Sequence, residues 1–150
     1  MYISTKGRYG TKALFELALH YGAGPLALRE IAERQGLSEH YLEQLVAPLR
    51  KAGLVQSVRG AQGGYVLARD PSTITVGDIL RVLEGPVSPT ECALENFDTA
   101  RCCANPDVCP DRDVWIKVRK GIEQVVDNIT LADLVEDWQK QNERAPMYYI

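Results

Sequence analysis

The chain has 150 residues, 45% hydrophobic and 25% charged, with a formal net charge of −3. That length suffices for one core with an appended helical arm, and the balanced composition excludes a wholly disordered chain. The N-terminus lacks an apolar signal core and no apolar run is long enough to span a bilayer, so the expected setting is the cytoplasm, without a membrane partner.

The net charge hides an asymmetry. Residues 1–69 hold nine Lys/Arg against five Asp/Glu, a balance of +4, whereas residues 70–150 hold eight against fifteen, or −7. A basic first half suits a phosphate backbone, and the acidic second half then has another task.

Apolar side chains at Ala13, Leu14, Leu17, Ala18 and Tyr21 predict a helix over 8–21, ended by Gly22, Gly24 and Pro25. A short helix is expected over 28–35, stopped by Gly36. Ser38 is a good N-cap for a third helix over 39–52, where Pro48 predicts a bend or short break. Strand candidates 54–59 and 65–68 flank Gly60-Ala61-Gln62-Gly63-Gly64, which reads as a hairpin. Thr75 with Asp78 caps a helix ending at Gly85-Pro86. A long amphipathic helix is expected over 114–129, and Thr130 with Asp133 caps a last one through Trp138.

The order is that of a winged helix-turn-helix: a mainly α chain with a small β-hairpin and a long helix suited to dimerisation. The expected division is a DNA-binding domain at 1–85, a cysteine-rich loop at 86–111, a long and a terminal helix at 112–141, and a tail at 142–150. His40, Tyr41, Glu43 and Gln44 lie near the start of the candidate recognition helix, the part that meets base edges in a major groove. Ser38 and Arg50 suit phosphate contacts, as do Thr5 and Lys6, with Ser4 and Arg8 beside them. Ser57, Arg59 and Gly60 form the base and tip of the wing, where an arginine can enter a narrow minor groove.

Four segments carry a family resemblance: Ser-Thr-Lys-Gly-Arg-Tyr-Gly at Ser4–Gly10, Leu-Ser-Glu-His-Tyr-Leu-Glu-Gln-Leu at Leu37–Leu45, Leu-Arg-Lys-Ala-Gly-Leu-Val at Leu49–Val55, and Val-Arg-Gly-Ala-Gln-Gly-Gly-Tyr-Val-Leu at Val58–Leu67. They resemble the bacterial winged-helix repressors that include the iron–sulfur cluster regulator IscR, the nitric-oxide sensor NsrR and the cysteine-metabolism repressor CymR. The resemblance implies a homodimer on a partly palindromic double-stranded DNA operator, with the long helix crossing its twin.

All four cysteines, Cys92, Cys102, Cys103 and Cys109, fall between the fourth and the long helix. Clustered thiols in a cytoplasmic chain point to metal or redox chemistry rather than a disulfide framework. Matched to IscR-like members, Cys92, Cys103 and Cys109 correspond to three cluster ligands, which implies a [2Fe–2S] cluster and control of cluster-assembly genes. The fourth ligand departs from the family. Arg112 stands where IscR-like proteins place a histidine, Arg8 where NsrR-like ones place an aspartate, and guanidinium does not coordinate. Cys102, Asp111, another carboxylate such as Glu43, or an exogenous group remain as candidates.

Zinc is the weaker alternative because tight Cys-x-x-Cys pairs are absent, and a thiol–disulfide switch at Cys102 or Cys103 is another. Gly77–Pro89 and the tail Met147-Tyr148-Tyr149-Ile150 resemble CymR, which implies a second reading: a cysteine-metabolism repressor whose tail engages a cysteine synthase. With His20 and His40 the sole histidines and no nucleophile–base pairing, an enzyme is not expected.

Overall fold

The computed structural model describes residues 2–98, 100, 104–105 and 108–145. The first helix, α1 (Thr5–Leu19), begins three residues before the expected start because Ser4 caps it, accepting from the Lys6 amide. α2 (Leu28–Gln35) ends at Gly36 in the left-handed conformation, φ 65°. Only glycine adopts that turn cheaply, and it aims the chain into α3 (Glu39–Lys51), whose N-cap Ser38 accepts from Tyr41 N.

The short break expected at Pro48 is not found: α3 runs unbroken to Lys51. Leu45, Val46 and Leu49 on either side of Pro48 are buried in the core, which holds the helix together around the bond that Pro48 denies to Gln44 O.

The hairpin pairs β1 (Val55–Val58) with β2 (Gly64–Leu67) in antiparallel register, Val55 opposite Leu67 and Val58 opposite Gly64. Leu26 adds a bridge to Tyr65 on the far side, with N–O distances of 3.0 and 2.9 Å. The five-residue tip between the strands is exposed up to Gln62, and Gly60 turns it with φ 116°.

After a 3-10 turn at Pro71–Thr73 come α4 (Val76–Glu84), α5 (Pro110–Val126) and α6 (Leu131–Arg144). Both expected capping boxes are present, Thr75 with Asp78 and Thr130 with Asp133. The two boxes are stitched together: Thr75 bridges Thr130, Val76 N donates to Ile129 O at 2.8 Å, and Leu131 N donates to Ile74 O at 2.9 Å. The start of α6 is therefore tied to the start of α4.

One core joins α1, α2, α3, α4 and the start of α6. Leu14, Ile31, Leu42, Leu45, Leu49, Ile79 and Leu131 are each at most 2% exposed, and burial of each contributes about 1.5–3 kcal/mol. α5 is different. It starts at Pro110, four residues before the expected Val114, with the proline at its first position, and it stops at Val126, three residues early. It packs on α4 and on the short turn Glu91–Ala93. Its apolar residues Val114, Val118 and Val125 are 51%, 39% and 58% exposed, and they share one face at i, i+4, i+11 spacing. In this single chain the apolar stripe faces away from the core.

Candidate nucleic-acid interface and thiol loop

The Ser38 cap and Gly36 turn present His40, Glu43 and Gln44 in solvent on the first two turns of α3. Gln44 Nε2 lies 3.3 Å from His40 Nε2, and Glu43 sits 3.8 Å from His40 Nδ1, so the three polar groups form one adjoining row. Tyr41 points the other way. Its ring packs half-buried against the core and meets Tyr9 edge-on at 5.9 Å, and its hydroxyl lies 3.0 Å from Thr5 Oγ1. Thr5 and α3 are thereby held in one frame, with Lys6 exposed beside them.

Arg50 near the end of α3 and Ser57 on β1 line a single shallow groove together with Arg69. Sequence reasoning missed Arg69. It follows β2 and pairs with Asp78 at 3.3 Å, a contact that depends on how the hairpin lies against α4. Arg59 and Gly60 are exposed in the hairpin loop. Tyr9 was also missed, as was the cation above it, with Lys12 Nζ 5.6 Å from its ring centroid.

Glu84 was the third omission. Its Oε1 accepts from Ser4 Oγ at 2.5 Å and from Gly7 N at 3.0 Å, placing a carboxylate at the head of α1. The Ser4 hydrogen bond, with the Gly7 amide and the nearby Lys6 charge, holds this carboxyl below the usual range against the opposing effect of burial. No local pattern announces it, because its partners lie 80 and 77 residues away.

In the cysteine loop, Cys92 and Cys109 are free and half-buried. Cys92 Sγ is 3.2 Å from Thr90 Oγ1, and Cys109 is the N-cap residue of α5 with no capping hydrogen bond from its side chain. Arg112, one turn into α5, donates from Nε to Cys92 O at 2.8 Å, linking the head of α5 to the start of the loop. This arginine is thus a clamp between the two segments that carry Cys92 and Cys109. Cys102 and Cys103 lie outside the described residues, and among those described no three potential ligands converge. Asp111 falls in the first turn of α5, exposed, rather than in the loop. The donors fit an iron–sulfur cluster in kind, since unbridged, accessible thiols are the soft ligands such clusters take.

Residues 3–137 match the model of the Rrf2 family, described as an iron-dependent transcriptional regulator. The chain belongs to the Rrf2 family. It is 51% identical over 150 residues to the HTH-type transcriptional regulator CymR of Bacillus subtilis, covering all of both chains. It is 42% identical over 137 residues to the HTH-type transcriptional regulator IscR of Yersinia enterocolitica, covering 91% of this chain and 80% of that one. Among solved structures, T. potens IscR superposes with a TM-score of 0.76 and 52% identity, over 99% of this chain and 95% of that one. The winged-helix architecture and a role in transcription regulation follow from membership. Relatives named CymR and relatives named IscR both stand near this chain, so membership does not choose between their signals.

Proposed function

We infer that the chain is a repressor that binds operator DNA as a homodimer and whose affinity is set by a [2Fe–2S] cluster held by Cys92, Cys103 and Cys109. The observation that carries the DNA-binding part is the frame formed by Tyr41 and Thr5, which fixes α3 so that His40, Glu43 and Gln44 are presented together. In this reading Gln44 and His40 meet base edges, and Glu43 accepts from a cytosine amino group. Ser38, Thr5, Lys6, Arg50 and Ser57 follow phosphates, while Arg59 enters the minor groove beside Gly60. The exposed stripe Val114, Val118 and Val125 pairs with its twin, which removes an apolar face from water.

The cluster reading is supported by the free thiols at both ends of the loop and by the likeness to T. potens IscR. Bound there, the cluster would tie the loop after Gly85 to the head of α5, and its loss would free the angle between the two DNA-reading heads. The fourth ligand is Cys102 or Asp111 in this reading. Anaerobic purification followed by iron and sulfide analysis tests it: about two of each per chain are expected. A chain free of both after reconstitution contradicts it.

A second reading has its own support, the 51% identity to B. subtilis CymR that extends through all 150 residues and so includes the tail. In it the chain represses cysteine-metabolism genes, the thiols act by redox chemistry or hold zinc, and Met147–Ile150, outside the described residues, engage a cysteine synthase. Removal of Tyr149 and Ile150 should then abolish binding to that enzyme; equal binding with and without them contradicts it.

A further inference from the structure

Arg119 is the one residue of α5 that is buried, 5% exposed, and it lies off the exposed valine face. Its Nη1 donates to both oxygens of Glu123 at 3.0 Å and lies 3.8 Å from Glu95. Its Nε is buried and has no partner among the described residues. Nε lies on the other edge of the guanidinium from Nη1, and that edge is the one that receives a planar carboxylate side-on. A buried N–H without an acceptor is costly, and an ion pair with Glu123 alone does not require it.

Arg119 also lines a cavity of about 580 Å³ between α5 and the segment after Pro86. Glu95, Asp98 and Glu123 add three carboxylates around the single guanidinium, and Leu94 and Phe97 supply an apolar wall. A simple anion satisfies Arg119 but meets three carboxylates. A simple amine satisfies the carboxylates and leaves Nε unpaired. A zwitterion that carries both groups on one carbon, with an apolar side chain against Leu94 and Phe97, satisfies all of them, and the volume holds it easily.

We propose that this cavity is a binding site for a free α-amino acid with an apolar side chain. The carboxylate lies on the Nε edge of Arg119, the ammonium lies toward Glu95 and Asp98, and the side chain lies on Leu94 and Phe97. The site is separate from the DNA-reading face and its occupancy does not depend on DNA or on a cluster. Its place between the loop that follows Pro86 and α5 means that an occupant bridges the same two segments that Arg112 clamps.

Calorimetric titration of the full chain with L-leucine, 4-methylpentanoate and 3-methylbutylamine tests this, since the last two keep the side chain with one charged group each. Leucine should bind saturably, and each fragment should bind at least about tenfold more weakly, the loss expected for one charge-assisted contact. Arg119→Lys keeps the charge but loses the side-on edge, and should weaken leucine by about tenfold or more. Glu95, 78% exposed at its side chain, tolerates change without loss of fold, so Glu95→Gln should weaken leucine with an unchanged circular dichroism spectrum. The proposal is overturned if leucine shows no saturation up to about 10 mM, which is weaker than any useful site of this size. It is overturned equally if either fragment or inorganic phosphate binds as well as leucine, or if Glu95→Gln leaves leucine binding unchanged.

Discussion

The carboxylate of Glu84 accepts the Ser4 hydroxyl at 2.5 Å, across 80 residues of chain. Ser4 caps α1 and Glu84 is the last residue of α4, directly before Gly85 and the cysteine loop. The same carboxylate takes the Gly7 amide, so the helix that carries Thr5 and Lys6 is anchored at the point where the loop departs. Through Thr5 the anchor continues to Tyr41 on α3. A short set of contacts thus connects the end of α4 before Gly85 with α1 and α3.

Replacing that carboxylate should be felt in both stability and acid response. Glu84→Gln removes a charged acceptor from a helix N-terminus, at a cost of about 1–2 kcal/mol, read as a lower midpoint in urea. The folded pKa of Glu84 is depressed, so its contribution is present at neutral pH and fades as pH falls through the folded value, below the ordinary carboxylate range near about 4. The variant should accordingly lose less stability on acidification than the wild type. Equal slopes below about pH 4.5 would remove Glu84 from the acid response.

The hydroxyl pair can be separated from the packing beneath it. Tyr41→Phe keeps the edge-on contact with Tyr9 and the buried ring, and loses only the Thr5 partner. Stability should fall by about 1 kcal/mol or less, while operator affinity falls by more than that change explains. A parallel drop in both would make the contact purely structural.

The wing arginine is expected to act through charge. Arg59→Ala should weaken operator binding and make the salt dependence shallower by about one unit on a log–log plot. An unchanged slope with unchanged affinity would exclude a phosphate contact by this residue.

At the back of the fold, Arg81 meets Asp127 with two hydrogen bonds of 2.6 and 2.8 Å, and Gly77 lies beneath them. A methyl group at Gly77 would collide with Asp127 Oδ1. Gly77→Ala should cost about 1–3 kcal/mol. The exposed ion pair alone is worth about 1 kcal/mol or less. Adding Asp127→Ala should therefore recover most of the loss, a non-additivity measurable in a double-mutant cycle.

Much of this was legible because it is local. Ser38, Gly36, and the Thr75–Asp78 and Thr130–Asp133 boxes each act within four residues, and each appears where the sequence placed it. The early start of α5 carried a local signal too, the proline at its first position, which the reading from apolar spacing passed over. The break expected at Pro48 did not form, because a local rule about breaking helices does not weigh the burial of Leu45, Val46 and Leu49 around it. Glu84 and Arg119 were hidden outright. A charged residue on an amphipathic helix reads as solvent-facing, and only the arrival of Glu95 and the segment after Pro86 buries Arg119.

In vitro selection from random duplex DNA with the anaerobically purified chain tests the central claim most directly. The expected result is enrichment of a partly palindromic site whose two half-sites are spaced by about one helical turn or a multiple of it, with selection lost in Gln44→Ala. Failure to enrich any sequence, at low as well as physiological salt, would contradict the account.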